Sequence, residues 1–162
     1  MKLQKDLREF IELLNSLKVD YVVVGGHAVA FHGHPRFTGD IDFLVRPTRE
    51  NAERLLRALR AFGFSDLALS PGDFTRPNAV VQLGLPPNRI DLLTSISGVD
   101  FVEAWNGKVD GDLDGLPVSF LGWDALLKNK EASGRDQDAT DLKKLRAIAA
   151  GKKGPGLRSG GG

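Results

Sequence analysis

The sequence predicts an α+β domain: a mixed central β-sheet flanked by helices and closed by a C-terminal helix pair. Three observations lead there. Apolar runs of four to six residues alternate with amphipathic helical stretches through the first half of the chain. Two hairpin signals follow, Leu85-Pro86-Pro87-Asn88 and Asp114-Gly115, so antiparallel pairs must join any parallel ones. Finally, the helical pattern that begins at Trp123 breaks once, at Gly134, and resumes near Asp136. At 162 residues and 41% hydrophobic, the chain suits one compact domain over 1–150. The Gly-rich, weakly basic stretch 151–162 reads as a disordered tail.

Taken in order, Leu3, Leu7, Phe10, Ile11, Leu14 and Leu17 share one helical face, which predicts a first helix over 3–17. Tyr21-Val22-Val23-Val24 is apolar throughout, the pattern of a strand buried on both faces. It breaks into Gly25-Gly26, after which His27–Phe31 can form a short helix. A second strand spans Asp40–Val45. Thr48 then offers an N-cap to a helix carrying Ala52, Leu55, Leu56, Leu59 and Phe62, with Gly63 as its stop. A short strand is expected over Asp66–Leu69, and a turn over Ser70–Asp73. Residues 79–84 and 89–94 form one hairpin, and Lys108–Leu113 with Leu116–Phe120 a second. Between them VDFVEAW supplies a helical turn. The last two helices run from Trp123 to Ser133 and from Asp136 onward, the latter acidic in its first turn and basic later, as the helix dipole favours. No internal repeat is present.

Composition excludes several classes of function. A net charge of +1 gives no global field toward nucleic acid or membrane, and zero cysteines exclude disulfide and thiol chemistry. The N-terminus, MKLQKDLREF, lacks the apolar core of a signal peptide, and no apolar run approaches the roughly 20 residues of a membrane span. A cytoplasmic protein without membrane contact is expected.

The chemistry concentrates in acids. Side chains alternate across a strand, so Ile41, Phe43 and Val45 share one face and Asp40 and Asp42 the other, with α-carbons about 6.6 Å apart. Two carboxylates that close are costly unless a cation neutralises them. In Arg89-Ile90-Asp91-Leu92, Asp91 likewise faces away from Ile90 and Leu92. If this strand lies beside Asp40–Val45, three carboxylates converge, a hard-oxygen set suited to magnesium or manganese with room left for phosphate oxygens. Gly25-Gly26 lets backbone approach such an anion. Each feature also has a plain structural reading. Gly-Gly can be a tight turn, Asp42 can pair with Arg36 or Arg46, and Asp91 with Arg89. His27, His32 and His34 lack a zinc-ligand spacing.

Strand–Gly-Gly–helix, Asp-x-Asp on a strand and a further Asp on a later strand resemble the minimal nucleotidyltransferases of the DNA polymerase β superfamily. More narrowly, GGHAVAFHGHPRFTGDIDFLV, LGLPPNRIDLLTSISGV and LLKNKEASGRDQDATDLKKL are similar to a bacterial branch related to the nucleotidyltransferases of toxin–antitoxin and abortive-infection systems. The resemblance covers roughly residues 20–145. It implies the nucleotidyltransferase fold and transfer of a nucleoside monophosphate from a nucleoside triphosphate such as ATP to a hydroxyl of a protein or tRNA acceptor, with Mg2+ or Mn2+. It makes Asp40, Asp42 and Asp91 the catalytic metal ligands, with Asp91 also a candidate base. Gly25, Gly26, Arg36, Thr38 and Lys130 become the triphosphate contacts, and a cognate toxin or antitoxin becomes a partner. Arg36 can instead neutralise the acids. Lys130 extends the inward stripe of Trp123, Leu126 and Leu127, while Lys128 should be solvated; the partner of Lys130 is then a triphosphate, with Asp138 or Asp141 as the structural alternative. The reading of another class is a catalytically inactive nucleotide-binding or partner-binding module on the same fold.

Overall fold

The computed structural model describes residues 4–64 and 68–152. Its elements are α1 (Lys5–Ser16), β1 (Tyr21–Val24), α2 (Gly25–Phe31), β2 (Asp40–Val45), α3 (Arg49–Phe62), a 3-10 turn (Pro71–Phe74), β3 (Val80–Leu83), β4 (Arg89–Leu93), α4 (Phe101–Asn106), β5 (Val109–Leu113), β6 (Leu116–Phe120), α5 (Trp123–Ser133) and α6 (Asp136–Lys152). The strands form one six-stranded sheet in the order β3-β4-β2-β1-β6-β5. The pairs β1–β6 and β2–β4 are parallel, whereas β1–β2, β3–β4 and β5–β6 are antiparallel. The sheet is therefore mixed, as two hairpins joined to crossover helices require.

Period-two alternation divides the core into two layers. Tyr21, Val23, Ile41, Phe43, Val45, Ile90 and Leu92 point to one face, where α1 and α3 cover them with Phe10, Ile11, Leu14, Leu55 and Leu59. Val22, Val24 and Leu44 point to the other, beneath Ala28, Phe101, Leu126 and Leu145 of α2, α4, α5 and α6. Asp40, Asp42 and Asp91 share the parity of this second layer, which is why the helices α2, α5 and α6 frame them.

Local rules set the element ends. Thr48 accepts a hydrogen bond from Asn51 N and caps α3, and Gly63 ends it in the left-handed conformation, φ 112°. Asn51 is buried because its side chain serves backbone: Oδ1 accepts from Asp20 N at 2.7 Å, and Nδ2 donates to Asp20 O and Arg46 O. One amide thus ties the start of β1 to the end of β2 and holds their register. Asp114 and Gly115, with φ of 53° and 81°, turn β5 into β6 as the hairpin signal requires.

Some boundaries differ from the sequence reading. Helix α2 begins at Gly25 itself, directly on the end of β1, with no intervening turn. The strand expected over 66–69 lies largely outside the described residues, and Ala68 and Leu69 join no strand. Gly151 and Lys152 belong to α6; the remainder of the tail, like Leu3 of the first helical stripe, lies outside the described residues. No described helix is long and apolar enough to cross a membrane.

Candidate active site

Parallel pairing of β2 with β4 sets Asp42 opposite Asp91 and Asp40 opposite Arg89. One ligand oxygen from each of Asp40, Asp42 and Asp91 lies within 4.8 Å of the others, and among the described residues no other such group forms. These acids sit at one end of a cleft of about 470 Å³. Val80, Leu93 and Ile96 give it an apolar wall, and Asn129, Lys130 and Arg135 approach from α5 and the start of α6.

Among the described residues a single cation is hydrogen-bonded to the triad. Arg89 Nη2 donates to Asp40 Oδ2 at 2.7 Å, and Nε and Nη2 donate to the two oxygens of Asp91 at 2.9 and 3.1 Å. Arg36 and Arg46, the alternative partners for Asp42, are engaged elsewhere: Arg46 with Asp20 at 2.8 Å and over the rings of Phe101 and Trp105, Arg36 with Asp141. Among the described residues Asp42 forms no salt bridge. Burial, followed by the charges of Asp40 and Asp91, pushes its carboxyl up to about 7. For Asp40 burial works in the same direction, but hydrogen bonds with Asp91, Thr38 and Arg89 outweigh it and hold that carboxyl below its ordinary range. Arg89 therefore neutralises the outer two acids and leaves the middle one uncompensated.

The two glycines are demanded by this geometry. Gly25 has φ +69°, and a Cβ there would land within the Asp42 carboxylate. A Cβ on Gly26 would press on Thr38 at 3.0–3.3 Å. Thr38 in turn places its hydroxyl 3.0 Å from both Asp40 O and Asp40 Oδ1, with one proton to donate between them. Gly25 lines the cleft, whereas Gly26 and Thr38 support it from behind.

Lys130 and Arg36 belong to a second ionic cluster. Lys130 is 3% exposed and donates to Asp138 Oδ1 at 3.0 Å, with Asp141 Oδ2 at 3.1 Å; Asp138 and Asp141 are 1% and 0% exposed. Arg36 gives Nε and Nη2 to the two oxygens of Asp141 at 2.9 and 3.0 Å, so its guanidinium braces α6 and is not among the groups lining the cleft. Lys128, by contrast, is solvent-facing and pairs with Glu103. The inward placement of Lys130 and outward placement of Lys128 follow the helical stripe. The structural alternative for Lys130 was Asp138 or Asp141, and its ammonium meets both.

Among the described residues the histidines form no metal group. His32 Nε2 lies 2.7 Å from Leu121 O, His34 sits 4.0 Å from Asp141, and His27 Nδ1 is buried on α2 without a hydrogen-bond partner. Sequence reasoning weighed Arg89 only as a neighbour of Asp91. The pairing register makes it a clamp across two strands, a signal that becomes readable once Asp42 and Asp91 are set opposite each other.

No protein-family model and no curated protein matches the sequence. Solved structures do match the fold. One is a proposed nucleotidyltransferase from Thermotoga maritima, 20% identical, covering 88% of this chain and 91% of that one with a TM-score of 0.57. Another is an antigenic nucleotidyltransferase-like protein from Paracoccidioides brasiliensis, 19% identical, covering 88% of this chain and 74% of that one with a TM-score of 0.50. At these identities the likeness is one of architecture, and on it the chain has the nucleotidyltransferase fold.

Proposed function

We propose that the protein is a metal-dependent nucleotidyltransferase that moves a nucleoside monophosphate from a nucleoside triphosphate to a hydroxyl of a protein or tRNA acceptor. The observation that carries this reading is the register-paired triad of Asp40, Asp42 and Asp91 at the foot of a cleft, with a side-chain-free Gly25 against Asp42. Asp42, raised to about 7 by burial and two neighbouring anions, marks negative charge in want of a cation. The three carboxylates suit Mg2+ or Mn2+. The ion supplies positive charge that polarises the phosphoryl group and acidifies the acceptor hydroxyl.

The chain's own groups do the rest. Asp91 takes the acceptor proton as the hydroxyl oxygen bonds to the α-phosphorus; the bond from that phosphorus to the bridging oxygen breaks, and pyrophosphate leaves. Gly25 admits phosphate oxygens close to the backbone. Gly26 and Thr38 hold Asp40 in place, Arg36 locks α6 through Asp141, and Lys130, which lines the cleft, ties Asp138 to Asp141. The exposed Phe37 and Leu85 offer apolar surface to a macromolecular acceptor, in keeping with a cognate toxin or antitoxin as partner.

One feature favours the second reading, a nucleotide-binding or partner-binding module without catalysis: the Arg89 clamp already occupies two of the three acids. Incubation with each of four α-labelled triphosphates, Mg2+ or Mn2+, and an extract of the source cells separates the two. Label should enter protein or RNA with the wild type and drop by at least about a hundredfold with Asp91→Asn, the scale of losing an acid–base group. Incorporation at the wild-type rate by Asp91→Asn removes Asp91 from the chemistry, and no incorporation by wild type supports the binding module.

A further inference from the structure

Three cations reach the cleft, and they differ in how much of their hydrogen-bonding capacity is already used. Arg89 commits Nε and both Nη2 hydrogens to Asp40 and Asp91, which leaves only Nη1 outside the triad. Lys130 is almost wholly buried and gives two of its three donors to Asp138 and Asp141. Withdrawing it toward a ligand would strip two buried carboxylates of a counter-charge.

Arg135 is different. It follows Gly134, whose φ of 65° turns the chain from α5 into α6, and its side chain is 76% exposed while lining the same cleft. Backbone N and Nε donate to Asp138 Oδ2 at 3.3 and 2.8 Å, and Nη2 reaches Asp138 Oδ1 at 3.3 Å. Among the described residues Nη1 has no partner, so most of the guanidinium fork stays available. Its anchor, Asp138, is 1% exposed and is itself held by Lys130. A planar fork gripped from behind by a buried acid has already lost much of its rotamer freedom, and its open edge matches two phosphate oxygens at once.

We infer that Arg135 is the residue that binds the terminal phosphates of a polyphosphate substrate, and that Asp138 and Lys130 act one step back as positioning residues for it. The inference rests on the nucleotidyltransferase reading and assigns the pyrophosphate end of that site. It also departs from the resemblance, which implies Lys130 and not Arg135 as a triphosphate contact.

Calorimetric titration of the full chain with inorganic tripolyphosphate in the presence of Mn2+ tests it without knowledge of the base. Wild type should bind tripolyphosphate more tightly than orthophosphate. Arg135→Gln should weaken tripolyphosphate by about tenfold, a typical loss for one charge-assisted contact. Orthophosphate binding should change less than twofold, and the melting temperature by no more than about 2 °C, because the side chain is exposed. Arg135→Lys should recover part of the loss. Asp138→Asn, titrated well below its melting temperature, discriminates positioning from bulk charge. Losing an anion would strengthen tripolyphosphate binding on electrostatics alone, whereas losing the anchor should weaken it about threefold or more. Unchanged tripolyphosphate affinity in Arg135→Gln overturns the inference while leaving the nucleotidyltransferase reading intact, and tighter binding by Asp138→Asn overturns the positioning role. No metal-dependent binding by wild type overturns both.

Discussion

Two acidic clusters lie about the same cleft, and they are built on opposite principles. Asp138 and Asp141 are enclosed by Lys130, Arg36 and Arg135, more cations than anions, with contacts of 2.8 to 3.1 Å. Burial opposes their ionisation, but hydrogen bonds from Arg135 to Asp138 and from Arg36 to Asp141, with Lys130 on both, hold the two carboxyls below the usual range. Asp40, Asp42 and Asp91 share one arginine, and the middle acid is driven up to about 7. Under the proposed function the compensated cluster is scaffold, and the under-compensated one, beside the cleft, is where a cation would bind. The contrast separates the proposed site acids from Asp138 and Asp141 more sharply than burial does, since both sets are largely withdrawn from solvent.

The largest effect should come from breaking the compensated cluster. Lys130→Met leaves two fully buried carboxylates with only their arginines and should cost about 3 kcal/mol of stability at pH 7, the lower end for a broken buried pair. Because Asp138 and Asp141 have lowered values in the folded state, their stabilisation is complete above the ordinary carboxyl value and fades as pH falls below about 4. Wild-type and Lys130→Met urea-denaturation curves should therefore converge toward pH 2. A constant difference across pH 2–7 would mean that lost packing, not charge, accounts for the effect.

The triad should respond with the opposite sign. A folded carboxyl raised to about 7 from 3.8 keeps its proton while the unfolded chain has released its own. Asp42 thus lowers stability progressively as pH rises from about 4 to about 7, and not below that. Asp42→Asn removes the liability and should be more stable than wild type by about 2 kcal/mol at pH 8 and by nothing measurable at pH 4, after allowing for partial solvent screening. Adding Mg2+ at pH 8 should raise the melting temperature of wild type and leave Asp42→Asn unmoved. A pH-independent difference, or equal Mg2+ effects, would place Asp42 outside any cation site.

How much of this was legible in the chain depends on which forces are local. The faces of Asp40, Asp42 and Asp91 follow from strand alternation alone, and the limits of α3 follow from Thr48 and Gly63. The hairpin of β5 and β6 follows from Asp114-Gly115. Strand order was not legible: that β1 lies between β2 and β6 is decided by how the helices pack on two faces, which no single segment encodes. The partnership of Arg36 with Asp141 spans 105 residues, and the sequence offers Arg36 only a triphosphate or the triad acids as partners. Helix α2 starting on Gly25 was missed for a related reason. Its first turn has no side-chain cap to announce it, and only the fold shows the Asp42 carboxylate lying where a Cβ on Gly25 would be.

A smaller effect probes the one cation that the triad does have. Arg89 holds Asp40 and Asp91 in the arrangement where a divalent ion would compete for them. Replacing it with Gln removes the competitor while preserving a polar side chain, and Mn2+ affinity should rise by on the order of tenfold. Triphosphate binding should then be reached at lower metal concentration. If Mn2+ binds more weakly to Arg89→Gln, the arginine shapes the carboxylates for the metal and is not its rival, and the comparison between the two clusters loses its clearest asymmetry.

The smallest expected effect is a control on the helical geometry that joins the two clusters. Lys128 and Lys130 are two residues apart on α5, roughly 200° around the axis at about 3.6 residues per turn, so one ammonium faces the cleft and the other cannot. Lys128 places its charge 3.0 Å from both oxygens of Glu103 on α4, with side chains 56% and 40% exposed. Exposed pairs of this kind contribute about 0–1 kcal/mol and weaken with salt. Lys128→Met should therefore change stability by less than about 0.5 kcal/mol, with no effect on tripolyphosphate or Mn2+ binding. Even that small difference should disappear at about 1 M salt, where the Debye length is about 3 Å. Loss of ligand binding in Lys128→Met would mean that the face of α5 turned toward α4 also serves the cleft, and the division between a compensated scaffold and an under-compensated site would have to be redrawn along that helix.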